Sequence, residues 1–238
     1  MTRVACLVLA GLLCTVGHAA PANVSLLALS IDATPEQVQT AAERIVFSFA
    51  LAVNESLDGA AVAPTVEVLN TPNLAYFDPR AQRIVIPHWP TLDPALRRFF
   101  VELADSEEDA ATLFIGLFNT FLVAHEMAHW LQWGLGVERD RYASEREAND
   151  IAVAFFGGLD GGDTLFHSLR PRLEAALARL ADPTPPQSEE AQFFNSQYAA
   201  LARDPYQYGY YQFRFILDSI DRRDELDFAT LLAALIAE

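Results

Sequence analysis

Residues His125-Glu126-Met127-Ala128-His129 close an apolar run that includes Phe114, Ile115, Leu117, Phe118, Phe121, Leu122 and Val123. No other feature constrains the fold as strongly. A helix that is apolar nearly all round must be buried. A buried helix carries two imidazoles and a carboxylate only where each finds a partner. Helical positions four apart share a face, one turn above the other, so His125 and His129 can reach one ion. Glu126 lies beside them, placed to take a proton from a water at that ion without being a ligand itself. Neutral imidazole suits zinc, and zinc brings the pKa of a bound water to about 7. The apolar run is too short for a bilayer, which needs about 20 residues, and it runs into Glu126.

A catalytic zinc needs a third protein ligand and one open position. Downstream, Tyr142-Ala143-Ser144-Glu145-Arg146-Glu147-Ala148-Asn149-Asp150 starts a helix, and Gly134 and Gly136 let the chain reverse before it. Glu145 and Asn149 are one turn apart on one face. Glu145 can therefore bind the metal while Asn149 supports a ligating histidine by hydrogen bonding. Glu147 competes, as a surface acid or as the true ligand.

These residues resemble the gluzincin clan of zinc peptidases, in which a second helix supplies Glu, three residues, then Asp or Asn. The layout is similar to that of small bacterial metallopeptidase-like proteins with a signal peptide and a short sheet before the active helix. The resemblance covers about Thr65 to Phe156, and Asn149 stands where many of that clan carry Asp. It implies a zincin-like domain, one zinc per chain held by His125, His129 and Glu145, peptide-bond hydrolysis with Glu126 as general base, and a peptide or protein as substrate.

The rest of the chain reads as one α+β domain, a small antiparallel sheet followed by helices. Asp32-Ala33-Thr34-Pro35-Glu36 has the cap, the early Pro and the acid of a helix start, and helical spacing continues to about Leu57. Strands are expected over Pro64 to Leu69, Leu74 to Phe77 and Arg83 to Ile86, the last two joined by the turn Asp78-Pro79-Arg80-Ala81-Gln82. Helices are then expected over Asp93 to Ala104, Ala110 to Trp133, Asp140 to Phe156, from Asp163, over Glu189 to Ala202, Gln207 to Ile220 and from Asp224 on. By position, Arg83 to Pro87 is a candidate to take the substrate as an added strand, and an ordinary core strand is the equal alternative.

Residues 1–20 have the layout of a secretory signal peptide: a weakly basic start, an apolar run from Val4 to Val16, and small residues before Pro21. A retained anchor is the alternative. Residues 21–238 then form the single mature domain, exported to the periplasm or secreted, with no membrane span. Both cysteines, Cys6 and Cys14, lie in the leader, so the mature chain forms no disulfide. A formal charge of -16 argues against nucleic acid or anionic membrane as partner. Every basic residue is Arg, a compositional bias without mechanistic weight. For a donor to the transition state, His167 and the tyrosines Tyr206, Tyr208, Tyr210 and Tyr211 are candidates, and His88 reads as a loop residue. A metal-stabilised scaffold that binds a partner without cutting it is the alternative function.

Overall fold

The computed structural model describes residues 29–57 and 62–237; the expected leader and its two cysteines lie outside these. The first helix, α1 (Pro35–Leu57), opens on a reciprocal cap. Gln37 donates its amide to the Thr34 hydroxyl, and Thr34 donates its own to the Gln37 side chain. Three strands follow: β1 (Thr65–Val68), β2 (Tyr76–Asp78) and β3 (Arg83–Ile86).

The sheet is mixed rather than antiparallel throughout. Its order is β1-β3-β2, with β2 antiparallel and β1 parallel to β3. The β2–β3 hairpin follows from the Asp78 turn, where the Asp78 carboxylate accepts from the amides of Arg80 and Ala81. Alternation along β1 carries no information on direction, and β1 lies on the far side of β3. Consequently Arg83–Ile86 is the central strand, with Ile84, Val85 and Ile86 fully buried. With hydrogen-bonded neighbours on both sides it offers no edge, so it does not receive a substrate strand; β2 is an edge.

Ser106 caps α3 (Glu107–Gly116) by accepting from the Asp109 amide. What reads as one regular helix then contains a π-helical turn, Leu117–Phe121, before α4 (Leu122–Leu135). Side chains explain the turn. The Thr120 hydroxyl donates back to the Ile115 carbonyl, five residues earlier, and Asn119 donates to the Pro87 carbonyl at 2.7 Å. Inserted turns of this type recur beside functional sites. The whole stretch Glu107–Leu135 is long and apolar enough to cross a membrane by length and composition, yet 83% of its most apolar window is buried within the fold. That is the place of a core helix.

Gly136 ends α4 in the left-handed conformation (φ 69°) that glycine adopts freely. The chain reverses into α5 (Arg141–Gly157), capped by Asp140, which packs alongside α4. Around this pair stand α2 (Pro94–Glu102), α6 (Gly162–Leu177), α7 (Glu190–Leu201), α8 (Pro205–Asp221) and α9 (Phe228–Ile236). The main core joins Ile45 and Phe49 of α1, Ile84 and Ile86 of β3, Met127 and Ala128 of α4, and Ile151 and Ala152 of α5. A second, smaller cluster of Phe194, Leu201, Tyr211 and Phe215 lies between α7 and α8.

Candidate metal centre

α4 and α5 meet so that His125, His129 and Glu145 present one donor atom each within 4.8 Å of one another. The two imidazole Nε2 atoms are 3.1 Å apart, and Glu145 Oε2 lies 3.3 Å from the first and 3.7 Å from the second. Donors at 2.0–2.1 Å from a tetrahedral zinc would sit roughly 3.3 Å from each other, so the spacing suits a divalent cation.

The outer ring nitrogens are both engaged. His125 Nδ1 lies 2.9 Å from Asn149 Oδ1 and His129 Nδ1 2.9 Å from Gln132 Oε1. The orientation of Gln132 follows from its own bonds, because its Nε2 donates to Glu147 Oε2 and the Ser144 carbonyl while Ser144 donates to its Oε1. With protons on Nδ1, both rings turn their Nε2 lone pairs toward the same point. Two lone pairs and a carboxylate facing one another form a group that could hold a cation.

The electrostatics agree. Burial alone would push the His129 imidazole down, but the hydrogen bond and charge of Glu145, the charge of Glu126 and the Gln132 bond raise it to about 9. Burial would likewise raise Glu145, yet hydrogen bonds and charge from His125 and His129 hold its carboxyl well below the usual range. The negative charge of Glu145 and Glu126 that raises His129 favours a cation at the same point.

Glu126 is buried next to this set without joining it, and its Oε2 accepts the Phe77 amide of β2 at 2.8 Å. The triad opens on a cleft of about 660 Å³. The α4–α5 hairpin forms one wall. The other is lined by β2, where Phe77 packs on the half-exposed Trp133 of α4, and by Tyr198, Tyr208 and Gln212 of α7 and α8.

The expected residues distribute as follows. Glu145 faces the histidines, and Asn149 meets His125 as the helical spacing implies. Glu147 points elsewhere, bonded to Gln132 and Arg139. His167 is exposed on α6, beside the Asp163 carbonyl, and does not line the cleft. Of the four tyrosines only Tyr208 borders it. Tyr206 donates to Glu102 at 2.5 Å, Tyr210 bonds Asp182, and Tyr211 lies 2.6 Å from the Thr184 hydroxyl. His88 is a loop residue, as expected, and its side chain is buried: its ring joins the Ala33 carbonyl at 2.8 Å and the Thr91 hydroxyl at 2.9 Å.

Several site residues carry no motif in the sequence. Gln132 lies one turn beyond His129, the one position where helical spacing could have flagged it. Tyr198, Gln212 and the Phe77 amide are brought in from far along the chain. Compared with protein-family models, curated proteins and solved structures, the chain matches none.

Proposed function

We propose that this chain is an exported zinc-dependent peptidase. The observation that carries the reading is the convergence of His125, His129 and Glu145 on one point, with Glu126 adjacent and unliganded on the wall of an open cleft. Two imidazoles and one carboxylate are the donor set of a catalytic zinc. Zinc bound there would supply a Lewis acid for a water and for the scissile carbonyl.

The chain's own groups do the rest. His125 and His129 are oriented by Asn149 and Gln132. One oxygen of Glu126 is held by the Phe77 amide, so the other is available to accept a proton from the attacking water and return it to the leaving amine. The outer edge of β2 borders the cleft, and an extended peptide laid along it would bring its backbone past Glu126 with little demand on side chains. Export rests on the sequence of residues 1–20.

The test is Glu126→Gln. We expect one zinc per chain to remain and peptide cleavage to fall by about 10²–10⁴-fold, the contribution of a positioned general base. Full activity in that variant would refute the assignment. A native chain that holds zinc and cuts no member of a peptide library would favour the non-cleaving scaffold instead.

A further inference from the structure

Glu145 is held by more than the two histidines. Its Oε2 accepts the side-chain amide of Gln212 at 2.7 Å, and its Oε1 accepts the Tyr198 hydroxyl at 3.3 Å. Gln212 Nε2 also donates to the Tyr208 hydroxyl at 2.9 Å, and the Tyr208 and Tyr198 rings pack edge to face with centroids 6.0 Å apart. The directions of these bonds can be assigned. An ionised carboxylate only accepts, so Gln212 and Tyr198 are donors to it. Both Gln212 amide hydrogens are then committed, one to Glu145 and one to the Tyr208 oxygen. The result is a cluster in which Gln212 and Tyr198 both aim a proton at the carboxylate and Tyr208 braces the two of them.

The cluster leaves one group stranded. Gln212 Oε1 is buried without a partner among the described residues. Turning the amide over would set oxygen against oxygen at the carboxylate; the Tyr208 hydroxyl could donate to the turned oxygen, but Glu145 would lose its donor. A buried acceptor left unpaired beside a fully used donor is the signature of a side chain kept for what its N–H bonds do. All three residues come from α7 and α8, which have their own cluster of Phe194, Leu201, Tyr211 and Phe215.

We propose that Gln212, Tyr198 and Tyr208 are positioning residues for the metal, fixing the rotamer of Glu145 so that the metal's affinity depends on the docking of α7 and α8. The inference rests on the reading that Glu145 is a ligand. By linkage the dependence is mutual: zinc that binds only when Glu145 is aimed also stabilises the α7–α8 pair.

The experiment uses the full mature chain, with zinc affinity from competition with a chromophoric chelator and the visible spectrum of the cobalt(II)-substituted protein. Gln212→Leu is expected to weaken zinc by about 10–100-fold, the effect typical of residues that orient a ligand, and to change the cobalt bands. Tyr198→Phe, which keeps the ring and removes one hydroxyl, should shift both in the same direction and by less. Amide exchange across residues 190–221 should slow when zinc is added to the native chain and respond less in Gln212→Leu. A change in packing alone would leave the cobalt spectrum of the loaded site unaltered. Folded Gln212→Leu and Tyr198→Phe chains with native zinc affinity and native cobalt spectra would overturn the inference while leaving the metal site standing. If Gln212→Leu does not fold, Tyr198→Phe decides. A native chain that binds no zinc would overturn the site and the inference together.

Discussion

The two walls of the cleft are built in different ways. One is the α4–α5 hairpin, where the three candidate ligands and the partners of both imidazoles lie within one short stretch, His125 to Asn149. The other is assembled from distant segments: β2 stands 49 residues before Glu126, and Tyr198 and Gln212 stand 53 and 67 residues after Glu145. The first wall supplies donors to a cation, whereas the second supplies donors to carboxylates, one amide for Glu126 and two side chains for Glu145. The candidate metal donors are thus concentrated in a local unit, and the hydrogen bonds to the carboxylates Glu126 and Glu145 come from the tertiary fold.

The largest effect should separate the ligand from everything that supports it. Glu145→Ala removes one of three donors and leaves two facing imidazoles with no anion between them. Zinc affinity should fall by well over the about 100-fold that bounds the loss of a supporting residue, as read by chelator competition. The gain in melting temperature on adding zinc should vanish with it. In the native chain that gain should be large, since a ligand at 1,000 times its Kd stabilises by about 4 kcal/mol. If Glu145→Ala keeps native zinc affinity, the local wall is not the metal site.

A smaller effect should come from the opposite wall and have a different character. Phe77 donates its backbone amide to Glu126 from the edge strand β2, and Phe77→Pro deletes that donor. Proline is tolerated on strand edges where no ladder bond is lost. A hydrogen bond to a charged group is worth about 1.5–3 kcal/mol, which corresponds to roughly a 10–100-fold fall in turnover. Zinc affinity should stay native. Loss of zinc in Phe77→Pro would show that the walls are not functionally separate.

The division also explains what could be read in advance. Helical spacing relates residues one turn apart, so His125 to His129 and Glu145 to Asn149 were visible as faces, and the glycine reversal indicated that the faces meet. The helices of the C-terminal third were visible for the same reason. Contacts between remote segments follow no period, and so Tyr198 and Gln212 could not be told from packing residues. The three tyrosines beside Tyr208 in sequence, Tyr206, Tyr210 and Tyr211, do serve as packing or surface contacts. Strand direction was likewise hidden, because a short alternating run such as Thr65–Val68 fits a parallel or an antiparallel neighbour equally well. The π-helical turn was hidden because it depends on Asn119 finding the Pro87 carbonyl, a partner outside the helix.

The smallest expected effect belongs to the residue that competes with Glu145 for the role of third ligand in the sequence. Glu147 is two positions from Glu145, too few for the same helical face, and its carboxylate accepts from Gln132 Nε2 at 2.8 Å and Arg139 at 3.3 Å. It therefore acts on the metal only at third hand, by steadying the amide that steadies His129. Glu147→Gln keeps a carbonyl acceptor for Gln132 and surrenders only the charge, in a partly exposed pair of the kind typically worth less than about 1 kcal/mol. Zinc affinity should change by no more than about fivefold, which is what 1 kcal/mol amounts to. The same measurement on Glu145→Gln should show a far larger loss, because an amide there replaces the carboxylate that lies against both Nε2 atoms. If the order is reversed, with Glu147→Gln abolishing zinc and Glu145→Gln sparing it, the third donor comes from the other face of α5, and the hairpin meets its metal rotated by about half a turn.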